Sequence, residues 1–237
     1  MTNPEKSKVI LTPENALSVE RKIVITEDGS TTISIPELNE NYHSIHGATR
    51  ESMHVYIDAG LKQIEKDVIK IFEVGLGTGL NCLLTYLNSS GRKIEYHAIE
   101  KYPIEKVLLD QLNYSQLLAN KNEAHYILNL IHSADWNTRI EITPGFYLQK
   151  FKKDIAAFEP EGKYHLIYFD AFAPEVQPEL WVKEVFQKTY DMLETGGILV
   201  TYCAKGEVRR TMQSCGFLVE RLPGPPGKRE MLRAQRS

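Results

Sequence analysis

A chain of 237 residues, 42% apolar and 25% charged, with a net charge of −3, has the composition of a soluble globular protein with room for one α/β domain and a large core. Cys82, Cys203 and Cys215 are too few and too scattered for a disulfide framework or a zinc site. Met1–Lys8 is polar where a secretory leader would begin and no apolar run reaches membrane-spanning length, so a cytoplasmic protein without membrane or metal is expected.

Residues 1–20 read as a polar, loosely ordered start. Residues 21–35 hold two alternating runs around Asp28-Gly29, which predicts a β-hairpin. The polar, aromatic stretch Tyr42–Ala48 has no clear period, and Glu51–Ile64 then reads as a helix. From there strand and helix patterns alternate. Ile69–Val74 and Lys93–Ile99 are predicted strands, with Leu80–Asn88 a helix between them. Ile104–Leu118 and Ala124–His132 read as helices, Arg139–Ile142 as a short strand and Leu148–Phe158 as an amphipathic segment. Tyr164–Phe169 is almost uninterruptedly apolar, as a strand buried on both faces should be. Pro178–Leu193 is a predicted helix, Gly196-Gly197 a turn, Ile198–Tyr202 a strand and Gly206–Ser214 a helix. Phe217–Leu222 and Glu230–Arg233 flank the loop Pro223–Gly227. Alternating βα units imply a doubly wound, Rossmann-like parallel sheet, and the closing pair, joined by a loop, predicts an antiparallel hairpin at its edge. The economical division is an N-terminal extension, 1–66 (hairpin plus helix), packed on a cofactor-binding domain, 67–237.

The most informative stretch is Ile71–Asn81, I-F-E-V-G-L-G-T-G-L-N. A strand feeds directly into Gly75, Gly77 and Gly79 and then into a helix start, the layout of a nucleotide-binding βαβ unit. Glycines let a ligand lie against the backbone, and the helix N-terminus offers unpaired N–H groups. The spacing is G-x-G-x-G with Glu73 just ahead, which points to S-adenosylmethionine rather than NAD. Glu100 closes the next strand, placed to accept hydrogen bonds from both hydroxyls of a ribose.

Asp170 follows the most apolar strand, at the crevice where open α/β sheets bind ligands. Methyl transfer to an amine needs a neutral nitrogen with its lone pair aligned, and an Asp that accepts an N–H orients that lone pair and helps take the proton. Phe172 and Pro174 would wall the pocket and offer a flat face to a base. Tyr42, His43, His46 and Glu51 are candidate substrate contacts, too few for a metal without further ligands. Lys228-Arg229, after a Pro/Gly-rich loop, could hold phosphate or cap a strand end. From Lys205 onward eight basic residues face three acidic ones, +5 against −8 for the rest, which marks a polyanion-binding face or a solvated surface. Trp136 and Trp181 read as packing residues and Cys203 as a small apolar filler.

F-E-V-G-L-G-T-G-L-N (72–81), A-I-E-K-Y-P (98–103), F-D-A-F-A-P-E-V-Q-P-E-L-W (169–181), G-G-I-L-V-T-Y (196–202), V-R-R (208–210), C-G-F (215–217) and G-K-R-E-M-L (227–232) occur in order along the chain. In these motifs the chain resembles the class I methyltransferase family that completes 5-methylaminomethyl-2-thiouridine at the tRNA wobble position. That family includes stand-alone enzymes and one half of the bifunctional MnmC protein. The resemblance implies that Gly75, Gly77, Thr78, Gly79 and Asn81 cradle the methionine part of S-adenosylmethionine. It assigns Glu100 and Lys101 to the adenosine side and Asp170 to the reacting amine and the cofactor. It implies tRNA, at its anticodon region, as partner and upstream wobble-uridine modification enzymes as suppliers. Many relatives place a Gly-Asp pair near adenine where this chain has Pro144-Gly145-Phe146, leaving Phe146 or a backbone N–H as candidates. The chain stops after the last hairpin, so the FAD-dependent oxidase half is expected to be absent. The competing readings are an aminopropyltransferase, which wants a second acid where Ala171–Pro174 are apolar, and a non-catalytic tRNA-binding module.

Overall fold

In the computed structural model, which describes residues 19–237, the chain opens with a small antiparallel sheet of β1 (Lys22–Ile25), β2 (Thr31–Ile35) and β3 (Glu40–Asn41). The polar start at 1–18 lies outside the described residues. The β1–β2 turn closes because the Asp28 carboxylate accepts from the Ser30 N–H at 3.0 Å and the Thr26 hydroxyl at 2.7 Å. α1 (Ala48–Ser52) runs on as a π-helical stretch, Met53–Asp58, and one 3₁₀ turn, Leu61–Gln63. The expected helix over 51–64 is therefore present but changes pitch twice. Its residues Val55, Tyr56 and Ile57 are buried in the same cluster as Ile71, Leu80 and Tyr168 of the sheet layer.

The main sheet contains β4 (Val68–Val74), β5 (Lys93–Glu100), β6 (Arg139–Thr143), β7 (Phe146–Lys152), β8 (Tyr164–Phe169), β9 (Leu193–Thr201), β10 (Phe217–Pro223) and β11 (Glu230–Arg236). Their spatial order is β10-β11-β9-β8-β4-β5-β7-β6. β7, β5, β4, β8 and β9 run parallel, while β11, β10 and β6 pair antiparallel at the two margins. The chain winds outward from β4 to β7, then returns to β8 on the other side. That reversal opens a crevice at the carboxyl ends of β4 and β8.

Alternation along β4 divides the core into two layers. Ile69 and Ile71 face α2 (Leu80–Leu87), while Phe72 and Val74 face the opposite layer. The first layer is completed by α3 (Lys106–Leu109), α4 (Tyr114–Leu117) and α5 (Lys121–Ser133). The second is completed by α6 (Lys183–Met192) and α7 (Gly206–Ser214). There Phe169 packs between Trp181 and Phe186 with ring centroids 5.0 and 5.1 Å away, and each ring so buried contributes ~1.5–3 kcal/mol.

Four local expectations are corrected. The amphipathic Leu148–Phe158 is the body of β7 followed by a 3₁₀ turn, Ile155–Ala157. The single helix expected over Ile104–Leu118 is two short turns, α3 and α4. Pro178–Leu180 is a 3₁₀ turn ahead of α6, and Gly196-Gly197 lies within β9. Cys82, Cys203 and Cys215 are buried free thiols, and no helix of the described residues is long and apolar enough to cross a membrane.

Candidate active site

A cavity of about 370 Å³ opens at the carboxyl ends of β4, β5 and β8. The glycine loop forms its floor. Gly75 has φ +88°, and a Cβ there would overlap the Asp170 carbonyl oxygen, so only glycine lets the two strand ends close on each other. Backbone bonds fix this meeting point: the Gly75 N–H donates to Ile99 and the Asp170 N–H to Val74, each at 2.9 Å.

Of the residues expected at the cofactor, Gly75, Gly77, Glu100, Lys101 and Asp170 line the cavity. Glu100 accepts the Gly77 N–H at 3.1 Å and the Tyr102 N–H at 2.8 Å, and burial holds its carboxyl above its ordinary pKa. Lys101 is turned onto Asp154 at 2.8 Å. Glu73, Thr78, Gly79 and Asn81 lie under the loop rather than on the cavity wall. Glu73 is fully buried, accepting Asn81 Nδ2 at 2.9 Å and the Tyr96 hydroxyl at 2.9 Å, and burial pushes its carboxyl well above the ordinary range. Thr78 is held by the hydroxyl of Tyr114 at 3.2 Å, and its carbonyl by His132 Nε2–H at 2.9 Å. Phe146 stands at the amino end of β7, opposite Ile94, on the far side of the sheet from the cavity. As an adenine contact it is ruled out by direction. The end of β7 that reaches the cavity carries Lys153, Asp154 and Ile155.

Asp170 lines the cavity at the carboxyl end of β8. Its Oδ2 accepts Asn81 Nδ2 at 2.8 Å, and the same amide nitrogen bonds Glu73, so one Asn ties the two carboxyls together. Burial raises its pKa to about 7, against the lowering influence of the Tyr56 hydroxyl, Asn81 and Lys228. Asn81 Oδ1 is buried without a hydrogen-bond partner, while the Tyr56 hydroxyl is turned onto Asp170. The peptide after Asp170 is clamped: Gln177 Oε1 accepts the Phe172 N–H at 3.1 Å, the Trp181 indole N–H donates to the Phe172 carbonyl at 2.8 Å, and the Tyr202 hydroxyl donates to the Ala171 carbonyl at 2.8 Å.

The substrate candidates separate in space. Tyr42 and Phe172 meet edge to face, 4.8 Å between centroids, as one wall. Glu51 lines the cavity, so a second acid does reach Asp170's pocket, from a distant part of the chain. Lys228 is turned inward onto Glu51, whereas Arg229 is exposed. His43 reaches the wall, but its ring nitrogens lie 3.3 Å from Thr32 Oγ1 and 3.5 Å from Thr78 Oγ1, and burial lowers its pKa to about 4. His46 pairs with Glu27, away from the cavity, and Pro174 stands behind the wall. Sequence reading missed Tyr56, Asp154, Gln177 and Tyr202. Of these, Tyr202 and Asp154 carry the same signal as Asp170, a polar group just past the carboxyl end of a parallel strand.

Residues 113–237 match the family described as S-adenosyl-L-methionine-dependent methyltransferase, a stretch of more than half the chain. The chain belongs to this family. The methyltransferase is similar to the tRNA 5-methylaminomethyl-2-thiouridine biosynthesis bifunctional protein MnmC of Burkholderia thailandensis, 27% identical over 230 residues, covering 89% of this chain and 34% of the relative. MnmC of Leptospira interrogans is 28% identical over 222 residues, with 88% and 34% covered. The methyltransferase thus spans about a third of the length of these curated relatives. The crystal structure of MnmC2 from Aquifex aeolicus superposes with a TM-score of 0.77 at 23% identity, over 97% of this chain and 78% of that one. The fold is that of class I S-adenosylmethionine-dependent methyltransferases, and S-adenosylmethionine is the methyltransferase's cofactor. The cavity suits it: a floor of glycines without Cβ atoms, and carboxylates at the ends of β5 and β8.

Proposed function

We propose that this methyltransferase methylates the aminomethyl nitrogen on C5 of the tRNA wobble (2-thio)uridine, giving 5-methylaminomethyl-(2-thio)uridine. The observation that carries the reading is Asp170, a carboxylate with a pKa near neutrality lining a cofactor cavity with an aromatic wall. The relatives named for this tRNA modification support the choice of substrate. S-adenosylmethionine supplies an electrophilic methyl group on a sulfonium. Glu100 accepts the ribose hydroxyls, and Gly75 and Gly77, which carry no side chain, let the rest of the cofactor lie against the loop. Asp170 accepts an N–H from the amine, turns the lone pair toward the methyl, and takes the proton that the new secondary ammonium releases. Tyr42 and Phe172 flank the base. The anticodon stem lies across the face where Arg229 is exposed, and upstream modification enzymes supply the aminomethyl group.

Incubation with labelled S-adenosylmethionine and tRNA lacking the final methyl, followed by nucleoside digestion, tests this. Label on 5-methylaminomethyl-(2-thio)uridine is expected, and its absence overturns the reading. Aminopropyl transfer gains one observation, the second acid Glu51 beside Asp170. Lys228 already neutralises that acid, which leaves no spare charge for a diamine. Label supplied only in the propyl chain of a decarboxylated cofactor separates the two.

A further inference from the structure

Glu51 and Lys228 are 177 positions apart and meet at the wall of the Asp170 cavity. We infer that this ion pair is a positioning device that sets the proton affinity of Asp170, and through it the pH at which an amine is methylated. The inference rests on the amine reading above.

The geometry is specific. The Glu51 side chain is only 8% exposed; Oε2 accepts the Ser44 N–H at 2.8 Å and Oε1 holds Lys228 Nζ. The same ammonium stands 3.8 Å over the Tyr202 ring, whose hydroxyl donates to the carbonyl of Ala171, the residue after Asp170. The loop that carries Lys228 is pinned to the N-terminal segment twice. His54 Nε2–H donates to the Pro223 carbonyl at 2.8 Å, and Gly227 packs so closely on His46 that any Cβ would collide with the ring. Lys228 is therefore held inward, not presented to a phosphate.

Around Asp170 stand Asn81, Glu73, the phenols of Tyr56, Tyr114 and Tyr202, and this pair. Burial raises the three phenols and Glu73 above their ordinary values. Glu51 and Lys228 act on Asp170 in opposite senses, Glu51 favouring the proton and Lys228 the carboxylate. Paired, they oppose each other; removal of either leaves the other uncompensated.

Titration of the protein alone, labelled with ¹³C in its Asp carboxyls and with the Asp170 signal assigned through Asp170→Asn, tests this directly. Glu51→Gln should lower the Asp170 midpoint by about one pH unit and Lys228→Met should raise it by about one. The double variant, and Lys228→Arg, which keeps the charge, should stay within about 0.3 unit of wild type. Shifts of the same sign, or single variants that move it by less than about 0.3 unit, overturn the inference. Flat titrations with an inactive Asp170→Asn sink the pair but spare the amine reading. The expected shifts with a fully active Asp170→Asn sink the amine reading and leave the pair's effect on Asp170 standing.

Discussion

Asp170 gains its proton affinity at a cost in stability that depends on pH. Its native pKa, about 7, lies above the ordinary 3.8, so between those values the folded state keeps a proton that the unfolded state has lost. Stability therefore falls as pH rises through that window and stays lowered above it. Asp170→Asn should melt at least about 3 °C higher than wild type at pH 8, with the gap closing toward pH 4 in thermal scans. The same variant should methylate about 10²–10⁴-fold more slowly in single-turnover assays while binding S-adenosylmethionine within a few-fold of wild type. Gly75→Ala makes the opposite separation. Its Cβ meets the Asp170 carbonyl and its φ of +88° is strained for alanine, so cofactor affinity by calorimetry should drop at least tenfold (roughly 1.4 kcal/mol) together with the rate.

At the level of elements, the loop after β8 is rigid because three side chains bond its backbone, and Trp181 supplies the bond least replaceable by packing. Trp181→Phe keeps a ring against Phe169 but leaves the Phe172 carbonyl without its donor. Urea unfolding should show a loss of about 1–3 kcal/mol, and kcat should fall more than KM rises, because the loop aims Asp170. The same elements explain what was legible in the sequence. β8 is an almost continuous apolar run, and Glu100 and Asp170 could be read because each follows apolar residues at the carboxyl end of a strand, Ala98-Ile99 and Tyr168-Phe169. β7 was hidden by Lys150, a charge at a core-facing position. Its ammonium donates to the Ile131 and His132 carbonyls at 2.8 and 3.1 Å and caps the C-terminus of α5, which no local pattern announces. The helix expected over 104–118 breaks at Asn113 for a similar reason. Its side chain accepts the Thr31 N–H at 2.8 Å and donates to the Gly29 carbonyl at 2.9 Å, so the N-terminal hairpin wins over helix propensity. Glu51 beside Asp170 was invisible for the same cause. Local spacing cannot report a partner that the fold delivers from another end of the chain.

Over the whole molecule, the basic excess after Lys205 is not one uniform patch. Lys228 faces Glu51, Lys205 faces Glu175, and Arg233 faces Glu220, whereas Arg229 and Arg210 are exposed. If tRNA is the substrate as proposed, its binding should depend on salt through the exposed arginines. Arg229→Ala should lower the slope of log Kd against log salt by about one in filter-binding titrations, while Lys228→Met leaves that slope unchanged. The pairing of Glu51 with Lys228 also imposes an order on assembly. A ribosome releases the segment with Glu51 long before β10 and β11 exist, so the nascent chain must keep this carboxylate hydrated and the margin of β9 open until those two strands are in place. Products that end before β10 carry the glycine loop and Asp170 but lack Lys228 and the strand that covers β9.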